Sequence, residues 1–393
     1  MKNAFQFHGR GGEYFGIWIV NILLTIVTLG LYSPWAHVRN KQYFYGNTDL
    51  AGERFEYLAT GKQIFLGRLI AGVLFVTYVL LSNSMPVISF AIVVLMILVF
   101  PWVVQRSLRF NAVMTRYRGV RFGFIGTIKG AYLNFLGKPI VANLLVGLWL
   151  GLGALLVYAF GGNQIQTVAN LNLGIGIGLA LLLWTLTLFA IVMGLVAWVN
   201  QGMASYIHNG YLYGDKHFIA QLSTRQFLKN YWIGVLVVTA FLIVLFVGLG
   251  SLIYSMTQAG KQTNVPLTIL PLVFFGGYVG VFVVVLYVRA LIYSKIRNYT
   301  YGQTHIGAER AYAFESSIAP SDYAVLLFTN ALMIMFSLGF LTPFVRVRVA
   351  EFLAKHTAIQ GDLNTLVTQE QARVQTGATA DALGDVFNLD IQF

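Results

Sequence analysis

Apolar positions along this chain gather into long uninterrupted blocks rather than recurring at strand or surface-helix spacing. Eight such segments lie near 16–33, 66–82, 86–105, 139–161, 173–199, 231–255, 268–288 and 323–345. Each approaches the roughly 20 residues that carry a helix across about 30 Å of hydrocarbon. The connections between them are of two kinds. The stretches 82–86 and 162–172 hold no charge, and 256–267 holds only Lys261. The alternate connections are basic: Arg106, Arg109, Arg116, Arg118, Arg121, Lys129 and Lys138 stand between the third and fourth segments, and no Asp or Glu occurs between Tyr57 and Gly214. Positively charged connections stay on the cytoplasmic side, so these predict a multi-pass protein with its basic loops inside the cell.

The pattern also repeats. At an offset of 67, Pro34, Trp35 and Arg39 recur as Pro101, Trp102 and Arg106, and Phe55, Thr60 and Lys62 recur as Phe122, Thr127 and Lys129. Phe218, Ser223 and Arg225 form a third copy of the latter, and Tyr211, Tyr213, Gly214 and His217 match Tyr299, Tyr301, Gly302 and His305 at an offset of 88. The two ends match best: Phe5, Tyr14, Asn21, Gly30, Pro34 and Arg39 reappear at an offset of 309 as Phe314, Tyr323, Asn330, Gly339, Pro343 and Arg348. These identities predict units of about 5–48, 55–115, 122–214, 218–302 and 314–349 within a membrane domain of residues 1–349, followed by a cytoplasmic tail, 350–393.

The terminal units are shorter than the second by about one crossing, a length that bears on topology. Ser33-Pro34 and Thr342-Pro343 read as a helix N-cap followed by proline, just after Gly30 and Gly339, so a new helix is expected there. The predicted fold is therefore all-α: six spanning helices as three hairpins, plus two short re-entrant or interfacial helical hairpins at the ends. Eight spanning helices are the alternative. With six, both termini are cytoplasmic.

Composition supports a lipid-solvated chain, at 57% hydrophobic and 10% charged. The net charge of +12 sits between apolar blocks, which points to anionic lipid headgroups as partners rather than nucleic acid. The run 106, 109, 113 and 116 follows one helical face and reads as an amphipathic stretch along the membrane surface. Cysteine is absent, which excludes disulfides and thiolate chemistry. The first fourteen residues lack an apolar run with a cleavage site, so no removable leader is expected. Glu351, Asp362, Glu370, Asp381, Asp385 and Asp390 make the tail acidic, with a short helix expected around Leu363, Leu366 and Val367 and a loosely held stretch from Gly377 to Gly384.

The motifs Phe5 to Phe15, Thr28-Leu29-Gly30-Leu31-Tyr32-Ser33-Pro34-Trp35, Asn47-Thr48 with Gly52 and Phe55, and Phe387-Asn388-Leu389-Asp390-Ile391 resemble those of the YjgN-like family of bacterial inner-membrane proteins, a family of unknown function. The resemblance covers essentially the whole chain. It implies a Gram-negative inner membrane and supplies no substrate, cofactor or catalytic residue.

Candidate chemistry is sparse. No predicted span contains Asp or Glu, and no two of His8, His37, His208, His217, His305 and His356 have the spacing that puts two imidazoles on one helical face. The reading is of a non-enzyme with no cofactor and no metal. Arg68 and Arg289 sit at helix boundaries, either as contacts for an anionic substrate or lipid phosphate or as side chains anchoring the helix end in the headgroup layer. Lys138 follows Leu136-Gly137 as Arg68 follows Leu66-Gly67, which favours an anchor. Asn21, Asn143 and Asn330 need partners in an apolar setting, and interhelical hydrogen bonds are expected. Glycine pairs 147/151, 174/178 and 276/280 suggest close helix packing, and Gly9-Arg10-Gly11-Gly12 reads as a flexible lead-in to the first helix. A transporter-like or lipid-handling protein is the expected function, with Asn21, Arg39, Arg68, Arg289, Asn330 and Arg348 as candidate contacts. A membrane scaffold or adaptor for a partner protein is the alternative.

Overall fold

The computed structural model describes residues 1–82, 84–161, 171–259, 269–307, 310–363 and 366. Six helices among them are long and apolar enough to cross a bilayer: α3 (Gly61–Ser82), α4 (Pro86–Met114), α6 (Lys138–Gly161), α7 (Leu171–Gly210), α8 (Thr224–Ala259) and α9 (Ile269–Gly302). They follow one another as three hairpins. Several exceed the length a bilayer needs, and the surplus forms legs. In α4 the leg is buried through Val103, Val104, Gln105, Ser107, Leu108, Phe110 and Ala112.

The legs stand on a feature absent from the all-α expectation. Ten short strands form one closed antiparallel barrel: β1 (Lys2–Phe7), β2 (Thr48–Leu50), β3 (Glu53–Tyr57), β4 (Thr115–Tyr117), β5 (Val120–Phe124), β6 (Tyr211–Tyr213), β7 (Lys216–Ala220), β8 (Thr304–Ile306), β9 (Tyr312–Ser316) and β10 (Thr357–Gln360). Neighbours pair in chain order, and Asn3 opposite Ile359 closes the ring. Strands of three to six residues show no periodicity that can be separated from loop sequence, so the basic, aromatic connections concealed them. The stretch read as an amphipathic surface helix ends at Met114, and Arg116 lies on β4, where it binds Glu56 of β3. Residues 350–355, read by composition as tail, continue α11 (Thr342–Lys355), and 357–360 supply β10. Val367 and the rest of the tail lie outside the described residues, so neither the expected short helix nor the stretch Gly377 to Gly384 is in view.

The barrel is a packed core. Side chains alternate along each strand, and one layer sets Phe5 opposite Leu50, Phe55 opposite Tyr117, Phe122 opposite Tyr213, Phe218 opposite Ile306 and Phe314 opposite Ile359. Successive Phe ring centroids lie 6.0, 6.4, 6.4 and 5.4 Å apart. All ten side chains belong to one apolar core. Closure leaves no sheet edge exposed.

The terminal hairpins are short. α1 (Gly11–Val27) is followed by α2 (Ser33–Gly46), and α10 (Pro320–Phe336) by α11. A 17-residue helix is about 25 Å long, less than the hydrocarbon thickness. The two turns share one construction. Gly30 N donates to Thr25 O and Leu29 N to Ile26 O, while Gly339 N donates to Ile334 O and Leu338 N to Met335 O. This double bond pattern caps a helix by placing residues in the left-handed region, here Leu29 (φ 50°) with Gly30 (φ 92°), and Leu338 (φ 49°) with Gly339 (φ 92°). The second helices begin at Ser33 and Thr342 as read, but Tyr32 and Leu341 are the cap residues and neither Ser33 nor Thr342 caps through its side chain. Pro101, aligned with Pro34 by sequence, lies inside continuous α4.

Glycine pairing is only partly observed. Gly147, Gly151 and Gly276 face open space, Gly280 approaches Phe241, and Gly153 packs on Trp184. The surroundings of Gly174 and Gly178 lie outside the described residues. In the lead-in to α1, Gly11 fits against Phe344, where a Cβ would clash.

Candidate functional site

The six sequence candidates separate into two braces and two flanking cations. Asn21, 4% exposed, donates to Asn40 Oδ1 at 3.1 Å and accepts from Arg39 Nη1 at 3.5 Å, and Arg39 also reaches Tyr32 Oη at 3.4 Å. At the other end Arg348 Nη1 donates to Asn330 Oδ1 at 2.9 Å and its Nη2 to Thr329 Oγ1 at 3.2 Å. Each arginine draws the second helix of a terminal hairpin onto the first, which is the expected interhelical use of a buried amide. Asn143 instead bonds within its own helix, to Pro139 O at 2.8 Å. The two terminal hairpins lie side by side, with Arg346 Nη1 donating to Tyr14 Oη at 3.2 Å and the Phe15 and Phe344 rings 5.9 Å apart. Arg68 is half-buried on α3 and Arg289 exposed on α9. The six do not converge on one pocket.

A cavity of about 350 Å³ lies elsewhere, where the feet of α6 and α7 meet the barrel. Its polar wall comes from Asn134, Lys138, Gln201, Ser205, Tyr206 and Asn209. Here α5 (Ile128–Tyr132) passes into a π-turn, Leu133–Gly137, before α6 begins. A π-turn inserts one residue into a helix and redirects the side chains around it, and such turns concentrate at functional sites. Asn134 lies within the turn and Lys138 follows it, so the insertion points both at the cavity. The wall is held rigidly: Tyr206 Oη donates to Thr127 O at 3.0 Å, Gln201 Nε2 to Leu222 O at 2.9 Å and Asn209 Nδ2 to Ala220 O at 3.0 Å. The Lys138 ammonium lies 5.3 Å from the Trp198 ring centre, and among the described residues no carboxylate lines the space. The arrangement offers an anionic group one cation, the Ser205 hydroxyl and one remaining N–H each of Asn134 and Gln201. Sequence reasoning treated Lys138 as a repeat anchor and missed the rest, because nothing in the residue types marks a π-turn.

A second polar layer lies under the aromatic ring of the barrel, on its membrane-facing side. Thr48, Thr115, Thr304 and Thr357 each open an even-numbered strand and donate to the carbonyl four residues back, at 2.6 to 2.8 Å. Tyr211 holds the same place in the third unit, and burial raises its phenol above the ordinary range. One layer further out, Tyr213 donates to Tyr117 O at 2.9 Å, and burial pushes its phenol up to about 12. The layer also receives Arg297 and Tyr301 from α9 and His208 from α7, none of them a sequence candidate. On the barrel's outer surface Lys2 and Gln360 hydrogen-bond Glu315 and hold its carboxyl below the usual range.

A closed strand barrel that carries six apolar spans and two braced short hairpins defines a multi-pass membrane protein. Its sequence matches, over residues 2–386, the family described as "Bacterial protein of unknown function (DUF898)", and the chain belongs to that family. It is similar to "Inner membrane protein YjgN" of Salmonella typhimurium, 26% identical over 380 residues that cover 93% of this chain and 90% of that protein. The proteins of the same description from Escherichia coli O157:H7 and strain K12 are 29% identical over 244 residues and 36% over 147, covering 62% and 37% of this chain and 58% and 37% of those proteins. No solved structure matches the chain. Like these relatives, it is an inner membrane protein.

Proposed function

We propose that the chain is a lipid-handling protein that binds the phosphate headgroup of a phospholipid in the cavity beside Lys138. The observation that carries this reading is the cavity itself, which sits at the foot of two membrane-crossing helices and pairs one cation with neutral donors. Its volume falls within the range of ordinary ligand sites. Two features favour lipid over a water-soluble solute. The barrel axis is filled by its aromatic layer, and in the most apolar stretch of each span no more than 22% of residues are buried by the protein, so acyl chains can lie against nearly every face. The basic connections then belong on the cytoplasmic side with both termini, and the strand–helix–helix–strand order, run through five times, fits duplication of one ancestral unit. The scaffold alternative rests on the acidic tail, most of it beyond the described residues, and on the basic loops, which build the barrel rather than a free docking face.

Native mass spectrometry of the full chain extracted from membranes tests the reading. Wild-type protein should retain anionic phospholipid, and Lys138→Ala should retain several-fold less while keeping its melting behaviour. Equal lipid retention by the variant would overturn the headgroup site. Displacement by millimolar inorganic phosphate with no lipid bound would indicate a soluble phosphate ligand instead.

A further inference from the structure

The layer beneath the aromatic ring contains a cation without a counter-charge among the described residues. Arg297 is 6% exposed. Its Nη2 donates to Thr357 Oγ1 at 3.0 Å, and its guanidinium carbon lies 4.2 Å from the centre of the Tyr301 ring. Neither the Nε–H nor the hydroxyl of Tyr301, itself 7% exposed, has a hydrogen-bond partner outside the close contact of these two side chains with each other. The surroundings are neutral. His208 meets the Tyr301 ring at 6.2 Å, Phe314 of the aromatic layer meets it at 6.1 Å, and Thr304 Oγ1 stands 3.3 Å from His208 Nδ1. Among the described residues no carboxylate forms an ion pair with Arg297.

A guanidinium cannot shed its proton to relieve this situation. A buried charge that is neither paired nor fully hydrogen-bonded is strongly unfavourable, as is a buried hydroxyl with no partner. Both deficits lie in one place and both are unused donors, so a single acceptor of negative charge would satisfy them together. We propose that Arg297 and Tyr301, beneath the aromatic layer, form a binding site for a small monovalent inorganic anion of the halide class, held by the Nε–H of Arg297 and the O–H of Tyr301. One fixed positive charge among neutral partners selects a monovalent ion, because a phosphate dianion would leave a buried negative charge uncompensated. The neighbouring groups are the rings of Tyr301, His208 and Phe314, which suit a weakly hydrated ion. Arg289, Tyr293, Arg297 and Tyr301 recur at every fourth position of α9 and share one side of it, so an exposed cation, Arg289, stands on the flank that leads to the buried one. The site lies on α9 and does not depend on the phospholipid reading of the cavity beside α6.

The test uses the full chain in detergent, with ionic strength held constant by sodium gluconate while chloride or bromide replaces it. Binding to the folded state alone stabilises it by RT ln(1 + c/Kd) at ligand concentration c, so above Kd the melting temperature climbs with the logarithm of ligand concentration. Wild type should therefore show such a rise with either halide. Arg297→Met should show none, and Tyr301→Phe should begin its rise at a several-fold higher concentration. A flat wild-type response, or a rise in Arg297→Met equal to that of wild type, would overturn the site. If Arg297→Met does not fold, crystals of wild type grown in bromide decide: anomalous density within hydrogen-bonding distance of Arg297 Nε supports the proposal, and its absence there refutes it. Stabilisation by inorganic phosphate but not by halides would contradict the monovalent assignment.

Discussion

The side chain at one position of each unit does most to define the core. Phe5, Phe55, Phe122, Phe218 and Phe314 were visible in the sequence as matches between units, yet the reason for them was not, because a residue's partner across a barrel has no fixed sequence spacing. In the structure they meet in one layer, where each ring removes apolar surface from water. Phe122 contacts Phe55, Tyr213 and Phe218, so Phe122→Ala should cost about 3–5 kcal/mol, and Phe122→Leu clearly less, as read by chemical denaturation in detergent. The Asn–Arg pairs were legible as residue types in matching places. Their bonding across 18 residues was not, since it depends on a turn whose geometry hydropathy does not encode. Arg297 escaped notice for a related reason: it stands in the last turns of a long apolar helix and looks like one more basic residue at a membrane boundary, and only the fold reveals that it faces inward.

At the scale of elements, length decided what sequence reasoning could reach. Spans of more than 20 residues announce themselves, and six were found where expected. Strands of three to six residues do not, and the barrel built from them was missed. The turns of the terminal hairpins show how a local choice supports an element. Gly30 and Gly339 hold φ 92°, a backbone conformation that is strained for any residue with a Cβ. Gly339→Ala should therefore lower stability by about 1 kcal/mol, measured as a shift in denaturation midpoint, although a Cβ there would meet open space. The seam of the barrel carries a pH dependence of known sign. Glu315 has its carboxyl pKa lowered in the folded state by Lys2 and Gln360, so its contribution is present above the ordinary carboxylate range and is lost as pH falls through the depressed value. The pair is partly exposed, at 55% and 31% of the side chains, and screening limits it to about 0.2–1 kcal/mol. Glu315→Gln should melt slightly below wild type at pH 7, with the difference vanishing towards pH 3.

At the scale of the whole molecule the fold is a ring of strands that gathers the ends of helical hairpins, so the parts are joined at the barrel and solvated by lipid beyond it. The first and last strands close this ring, β1 pairing with β10, which places residues 2–7 and 357–360 on one side of the molecule whichever way it faces. Hydropathy located the membrane setting and the six helices long and apolar enough to cross, because both depend only on length and composition. They could not reveal the closure, which rests on strand pairs far apart in sequence. In the proposed topology the barrel lies in the cytoplasm and only the three long hairpins cross. The chain has no cysteine, so single cysteines can be read without background. Spheroplasts carrying Glu53→Cys, at the outer rim of the barrel, or Ser84→Cys, in the turn between α3 and α4, should be treated with a membrane-impermeant thiol reagent before and after lysis. The account predicts that Ser84→Cys reacts in intact spheroplasts and Glu53→Cys only after lysis; labelling of Glu53→Cys from outside, or of both positions from the same side, would contradict it.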